Sequence, residues 1–273
     1  MSISLFLSRK VCGVGREISL LIRYFTDYRK YLHRELSHLK NSVTSDTAFI
    51  IATGPSIKRQ NLALLSGKDC FTVSNAFLHP DINKIRPLVH GFACYHEPME
   101  RDNFIKWLDE AALQLPSTTT IYTPVCNKLF VQASGLAVSH NILYGLQNSL
   151  ADWLWPRVKY IFPAPQTAPL LLLPLVMMLG YRKICLVGCD HTVLRDYGGF
   201  VNNFYDKNME VRKNATDPDT WQDIVYELKA CIALFERYAF YARHAHSMGI
   251  DIYNLSDDSW LRQFPFSTIE LMV

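Results

Sequence analysis

Several common functional signatures are missing from this sequence. There is no Cys-x-x-Cys pair among its seven cysteines (12, 70, 94, 126, 185, 189 and 231), an odd set without framework spacing. A zinc ribbon and a thioredoxin-type site are therefore excluded, and the expectation is free thiols in a reducing, cytosolic compartment. No apolar run approaches the roughly 20 residues of a spanning helix. The longest, Leu170–Leu179, has ten residues and contains Pro174. The chain has no internal repeat and no low-complexity tract. It also lacks Gly-x-Gly-x-x-Gly, a P-loop and a Gly-x-Ser-x-Gly elbow, so dinucleotide binding, P-loop NTPase chemistry and α/β-hydrolase chemistry have no motif to rest on. No Asp-x-Asp pair stands at a strand end, where a metal clamp for a nucleotide-sugar would be expected. Asp217-Pro218-Asp219 has that spacing but falls in a polar stretch.

Net charge is small as well, +3 over 273 residues, too little to suggest a nucleic-acid partner. The charge is unevenly placed. Residues 1–40 carry eight Lys/Arg against three acids, leaving the other 233 residues slightly negative. Within that segment Leu20, Leu21, Tyr24, Tyr28, Tyr31, Leu32 and Leu39 recur at roughly helical spacing. Residues 1–46 read as a basic amphipathic helical segment. Such a helix would lie on an anionic membrane surface or pack on protein.

Hydrophobic residues make up 49% of the chain and charged residues 19%, enough for a sizeable core. From residue 47 onward, short apolar runs alternate with helical stretches: 47–56, 70–77, 88–95, 118–125, 183–190 and 250–256 as strands, with helices over 100–113, 168–180 and 221–247. Alternation of this kind predicts an α/β, Rossmann-like parallel sheet covered on both faces, over 47–273. A small lid is expected within 126–160 or 195–220. Pro169 fits the first turn of the apolar helix, and Pro174 either kinks that helix or marks its start.

In such sheets ligands sit beyond the carboxyl ends of the strands. Polar residues collect there in this sequence: Thr53-Gly54-Pro55-Ser56, Ser74-Asn75, His96-Glu97, Gln166-Thr167, and Gly188-Cys189-Asp190-His191-Thr192. Gly54 would let a ligand approach the backbone, and the helix start behind it would offer N–H groups to a phosphate. A β-turn capped by Ser56 is the plainer alternative. Asn75 could read a base or ribose, Asp190 could orient one, and His191 could donate to a phosphate or take a proton. His244 and His246 suit a helix C-terminus better than catalysis.

Together these segments resemble the bacterial sialyltransferases of glycosyltransferase family 42 and the wider group of MptE-like (6-hydroxymethylpterin pyrophosphokinase-like) proteins. Three motifs carry the resemblance: the strand running into Gly54-Pro55-Ser56, the strand with Ser74-Asn75-Ala76-Phe77, and Leu179-Gly180-Tyr181-Arg182-Lys183-Ile184-Cys185-Leu186-Val187-Gly188-Cys189-Asp190. The resemblance implies a metal-independent, inverting transfer from a CMP-activated sugar, with no cofactor. The sugar would be a sialic acid or related keto-sugar acid, and the acceptor a cell-surface glycan or its lipid-linked precursor. It places Thr53, Gly54, Pro55, Ser56, Asn75, His96, Thr167 and Gly188 at the donor. Thr192 and Tyr197 stand near the family's two phosphate-binding tyrosines. The family's general-base His has no counterpart, because no His lies between 192 and 243. His191 and Asp190 are the catalytic candidates, with Asp217 and Asp219 as further possible bases.

The partners this reading expects are the nucleotide-sugar, a glycan acceptor, the inner face of the membrane through residues 1–40, and a second copy of the chain. Two alternatives stay open: a Mg²⁺-dependent diphosphokinase using ATP, and a glycan-assembly protein without turnover.

Overall fold

The computed structural model of the chain describes residues 15, 18–19, 22–97, 99–147, 151–157, 160–198, 203–212 and 223–273. Eight strands form one parallel sheet: β1 Thr47–Ile51, β2 Asp69–Val73, β3 Val89–Gly91, β4 Thr120–Pro124, β5 Ile142–Gln147, β6 Ile161–Phe162, β7 Lys183–Val187 and β8 Asp251–Asn254. Their spatial order is β6-β5-β4-β3-β2-β1-β7-β8. The chain thus builds outward from β1 to β6, returns to pair β7 with the free side of β1, and continues to β8. The order reverses between β1 and β7, and a crevice opens at such a point in a parallel sheet.

Burial on both faces explains why the strands are continuous apolar runs rather than alternating ones. In β1, Ala48 and Ile50 join the core on one face with Leu170–Leu173, while Phe49 and Ile51 join Ile57, Leu62 and Val187 on the other. Among the described residues four longer helices cover the sheet: α1 Arg29–Asn41, α2 Arg101–Gln114, α3 Ala168–Leu179 and α4 Ile224–Ser247. In α2, Phe104, Trp107, Leu108 and Ala111 are buried at the spacing of one helical face. Nearly every residue of α3 is buried, so this helix lies inside the domain. It runs unbroken through Pro174, whose missing N–H leaves the Leu170 carbonyl without its helical donor.

Two expectations change. Residues 126–160 are not a lid inserted into the sheet, since β5 lies within them and pairs in register with β4. Gly145 disguised that strand. It is required there because a Cβ would stand 2.3 Å from the Tyr122 hydroxyl, which crosses the strand. The N-terminal segment, in turn, is not separate from the domain. Leu32, Leu36 and Leu39 of α1 are buried in the main core, and Tyr31 donates its hydroxyl to the Ile142 carbonyl. Packing on the chain's own protein is the outcome for residues 29–41. Among the described residues no helix is long and apolar enough to cross a membrane.

Leu32 is fully buried, whereas Lys30 is exposed. Leu32→Ala should therefore cost about 2–5 kcal/mol in urea unfolding, with Lys30→Ala within about 0.5 kcal/mol of wild type. Equal, small effects would mean that α1 is not part of the cooperative unit.

Candidate functional site

A cleft of about 1120 Å³ opens at the carboxyl ends of β1 to β5 and β7. At its centre, the loops leaving β1 and β7 are stitched together. The Gly54 N–H donates to the Gly188 carbonyl at 2.9 Å. Asp190 accepts from the Ser56 N–H at 2.7 Å and from the Ser56 hydroxyl at 2.5 Å. Ser56 and Asp190 are both buried. There is no room for a side chain at either glycine: a Cβ on Gly54 would meet the Gly188 oxygen at 2.5 Å, and one on Gly188 would meet Ile57 at 2.5 Å. Gly188 also has φ +67, a conformation glycine adopts without cost. Burial pushes the Asp190 carboxyl up from its ordinary range, and the two Ser56 bonds pull it down.

This stitching corrects the expected phosphate cradle. The turn after Gly54 is a five-residue 3-10 segment, Pro55–Arg59, rather than a helix start with spare donors. Gly54 N–H is spent on Gly188, Pro55 has none, Ser56 N–H goes to Asp190, and Ile57 N–H donates back to the Gly54 carbonyl. The positive end of a helix comes instead from α3. Gln166, Thr167, Ala168 and Pro169 line the cleft, and the Thr167 hydroxyl makes no capping bond. The buried α3 thus turns its N-terminal dipole end toward the cavity.

Of the predicted residues, Thr53, Gly54, Pro55, His96, Thr167, Gly188, Asp190, His191 and Thr192 line this one cleft. Ser56 lies behind it, holding Asp190. Asn75 is also behind the wall: its Oδ1 accepts from the Trp107 indole, and its Nδ2 donates to Tyr205 Oη at 2.9 Å and Glu210 Oε1 at 3.0 Å. Its amide is fully used there, and Ser74, at φ +55, lines the cleft beside it. Tyr197 follows the 3-10 turn Val193–Asp196 and does not line the cleft. Asp217 and Asp219 lie outside the described residues, as do 199–202 and 213–220 of the expected lid.

The two histidines differ. Burial pushes His191 down to about 4, so it is neutral at pH 7, and its Nε2 meets the Tyr238 hydroxyl at 2.8 Å. His96 is exposed at the cleft, with Nδ1 3.1 Å from the Glu97 carbonyl. A carbonyl only accepts, so Nδ1 is the donor in this contact, which leaves Nε2 outside it.

Residues that the sequence did not single out complete the lining. Arg23 and Tyr28 reach it from the N-terminal segment, Lys128 from beyond β4, Gln147 from the end of β5, and Arg212 from the polar stretch. Arg212 lies over the Trp107 ring at 5.0 Å and pairs with Glu210 at 2.6 Å. Burial opposes the Glu210 charge, but the guanidinium outweighs it and holds the carboxyl below its ordinary range. No local pattern marked Arg212, whose position depends on Trp107, Tyr205 and Ser74, all distant or irregular in sequence. Cys94 and Cys126, also in the lining, are joined as a disulfide, where free thiols had been expected. Among the described residues no group of three His, Cys, Asp or Glu side chains converges as a metal site.

The fold is that of a Rossmann-like α/β protein with a cleft at its topological switch point. No protein-family model and no curated protein matches the chain. Among solved structures it is similar to the monofunctional α-2,3-sialyltransferase Cst-I from Campylobacter jejuni, at 18% identity over 82% of this chain and 80% of that one, TM-score 0.46. It is also similar to the sialyltransferase CstII from the same organism in complex with cytidine-5'-monophosphate, at 16% over 84% and 87%, TM-score 0.45. A CST-II complex with trisaccharide acceptor and CMP gives 14% over 80% and 84%, TM-score 0.44. At these values the likeness carries no residue-by-residue correspondence.

Two outcomes follow. In Asp190→Asn the amide nitrogen cannot accept, so one buried Ser56 donor loses its partner; urea unfolding should register a loss of about 1–3 kcal/mol. A change within error would mean that the loops are held by other contacts. The second concerns pH. Burial lowers His90 to about 3 and His191 to about 4, so between those values and about 6.5 the unfolded chain binds protons that the folded chain does not. Stability should thus be fully present above about pH 6.5 and fall toward pH 4, by up to about 1.4 kcal/mol per pH unit for each histidine. His191→Gln should flatten part of that slope, and an unchanged slope would contradict the assignment.

Proposed function

We propose that this protein is a glycosyltransferase that transfers a sugar from a nucleotide-activated donor, a CMP-linked sialic acid or related keto-sugar acid, to a glycan hydroxyl with inversion. The observation that carries the reading is convergence. Three segments far apart in sequence, each resembling a motif of the family 42 sialyltransferases, meet around one cleft at the β1/β7 switch point. The cleft is large enough for a nucleotide-sugar, and its lining is rich in hydroxyl, amide and cationic groups.

The chemistry asks for stabilisation of the departing phosphate and for a base at the acceptor oxygen. Thr167 and the N-terminal end of α3, with Arg23 and Lys128 on the surrounding walls, supply positive potential without drawing on the occupied amides at Gly54–Ile57, while the charge of Arg212 is met by Glu210. His96 is better suited as base than His191 or Asp190. Its Nε2 takes no part in the Glu97 contact, whereas Asp190 is held by Ser56 and His191 by Tyr238. In this scheme His96 removes the acceptor hydroxyl proton, the oxygen attacks the anomeric carbon, and that carbon's bond to the phosphate oxygen breaks to release CMP.

The test is a thermal-shift panel of CMP, CDP, UDP, GDP, ADP and ATP, each with Mg²⁺ and with EDTA. A ligand at about 100 times its Kd should add about 2.7 kcal/mol, or a few degrees in Tm. Selective stabilisation by CMP that survives EDTA is the expected result, and stabilisation by ATP alone, lost in EDTA, would replace this reading with the diphosphokinase. His96→Gln should keep the CMP shift while slowing CMP release from CMP-sialic acid by about 10²–10⁴-fold. An undiminished rate would remove His96 from the mechanism.

A further inference from the structure

The segment preceding α1 and the first turns of α1 combine an exposed apolar stripe, exposed cations and two residues that line the cleft. Residues 18–19 and 22–23 are helical, and Tyr24–Tyr28 forms a π-helical turn leading into α1. Ile18, Ile22 and Phe25, spaced by four and three residues, are 48%, 58% and 62% exposed. Arg29 and Lys30 stand exposed in the first turn of α1, and Arg34, also exposed, pairs with Glu35 at 2.8 Å. The same segment sends Arg23 and Tyr28 into the cleft lining, with the Arg23 guanidinium 5.8 Å from the Tyr28 ring.

We infer that this segment docks on an anionic lipid bilayer through Ile18, Ile22 and Phe25, with the mouth of the cleft against the membrane, so that the acceptor is a membrane-anchored glycan. A short apolar stripe beside cations, on a segment with eight Lys/Arg against three acids over residues 1–40, is what an anionic headgroup layer selects. Charge also argues against a second copy as the occupant, because two such faces would bring the exposed Arg29 and Lys30 toward their own equivalents. Among the described residues a second exposed apolar stripe, Ile224, Val225, Leu228 and Ile232 of α4, lies beside Asp223, Glu227 and Lys229, a mixed set of charges that lacks that complementarity. Because α1 is tied into the core by Leu32, Leu36 and Leu39, docking fixes the orientation of the whole domain rather than tethering it loosely. The acceptor's class rests on the transferase reading; the docking does not.

Co-sedimentation of the full chain with vesicles tests the inference. Binding is expected to phosphatidylcholine vesicles containing phosphatidylglycerol, but not to phosphatidylcholine alone. It should weaken at about 1 M salt, where the screening length falls to roughly 3 Å. The triple variant Ile18→Ser, Ile22→Ser, Phe25→Ser should lose about tenfold or more in vesicle affinity. Its CMP-induced thermal shift should be unchanged, which separates failure of docking from failure of the donor reading. Hydrogen exchange on vesicles should slow over residues 18–28. Three results would overturn the inference: wild type that ignores anionic vesicles, a triple variant that binds them as well as wild type does, or protection over 224–232 in place of 18–28. A dimer seen by light scattering and abolished in the triple variant would also overturn it, and would give the face to a second copy.

Discussion

The contact between Ser56 and Asp190 is the constraint from which the site follows. In a parallel sheet whose order reverses between β1 and β7, the two loops leaving those strands diverge, and the crevice between them has no shape until something fixes their separation. Here a buried carboxylate takes both donors of Ser56, and a backbone bond joins Gly54 to Gly188 just beneath. A carboxylate is suited to this because it accepts twice without needing to donate. The cost is desolvation of the charge, visible in the upward shift of Asp190. Once the loops are held, Thr53, Gly188, His191 and Thr192 have defined positions in the cleft wall.

The same contact decides where an anion can be held. By consuming the amides of the β1 loop, it leaves that loop a rigid wall rather than a cradle. The electrostatic work then falls to α3, whose composition is otherwise hard to understand. A helix of Leu, Met, Val and Pro with almost no exposed surface can run under the sheet and end at the crevice, with its N-terminus facing the cavity. The ten-residue apolar run, too short to span a membrane, is thus the element that directs a dipole at the site. The Arg212–Glu210 pair and Asn75 form a second support, fixing Trp107 as the opposite wall.

The fold was readable where one physical rule acted locally. Apolar runs bounded by Gly, Pro and Ser marked β1, β2, β4, β7 and β8, and the 3.6-residue period of Phe104, Trp107, Leu108 and Ala111 marked α2. β5 escaped because Gly145 interrupts it, and that glycine answers to Tyr122 on the neighbouring strand, not to its own segment. The strand-end rule gathered most of the lining correctly from sequence position alone. It could not tell Ser74 from Asn75, since one residue's difference along the turn after β2 decides which side chain meets the cleft and which is buried on Trp107. Arg23 and Tyr28 were legible only as part of a basic amphipathic pattern. Their place in the cleft depends on how α1 packs beside β5 and α3, which no local period encodes.

A crystal structure of the chain grown with CMP would test the central claim most directly, namely that the β1/β7 crevice is a nucleotide site with its anion position at α3. The account predicts CMP in the cleft with its phosphate against Thr167 and Ala168 and the Ser56–Asp190 contact intact. A phosphate bound by the amides of Gly54–Ile57 with that contact broken, or CMP bound outside the cleft, would contradict it.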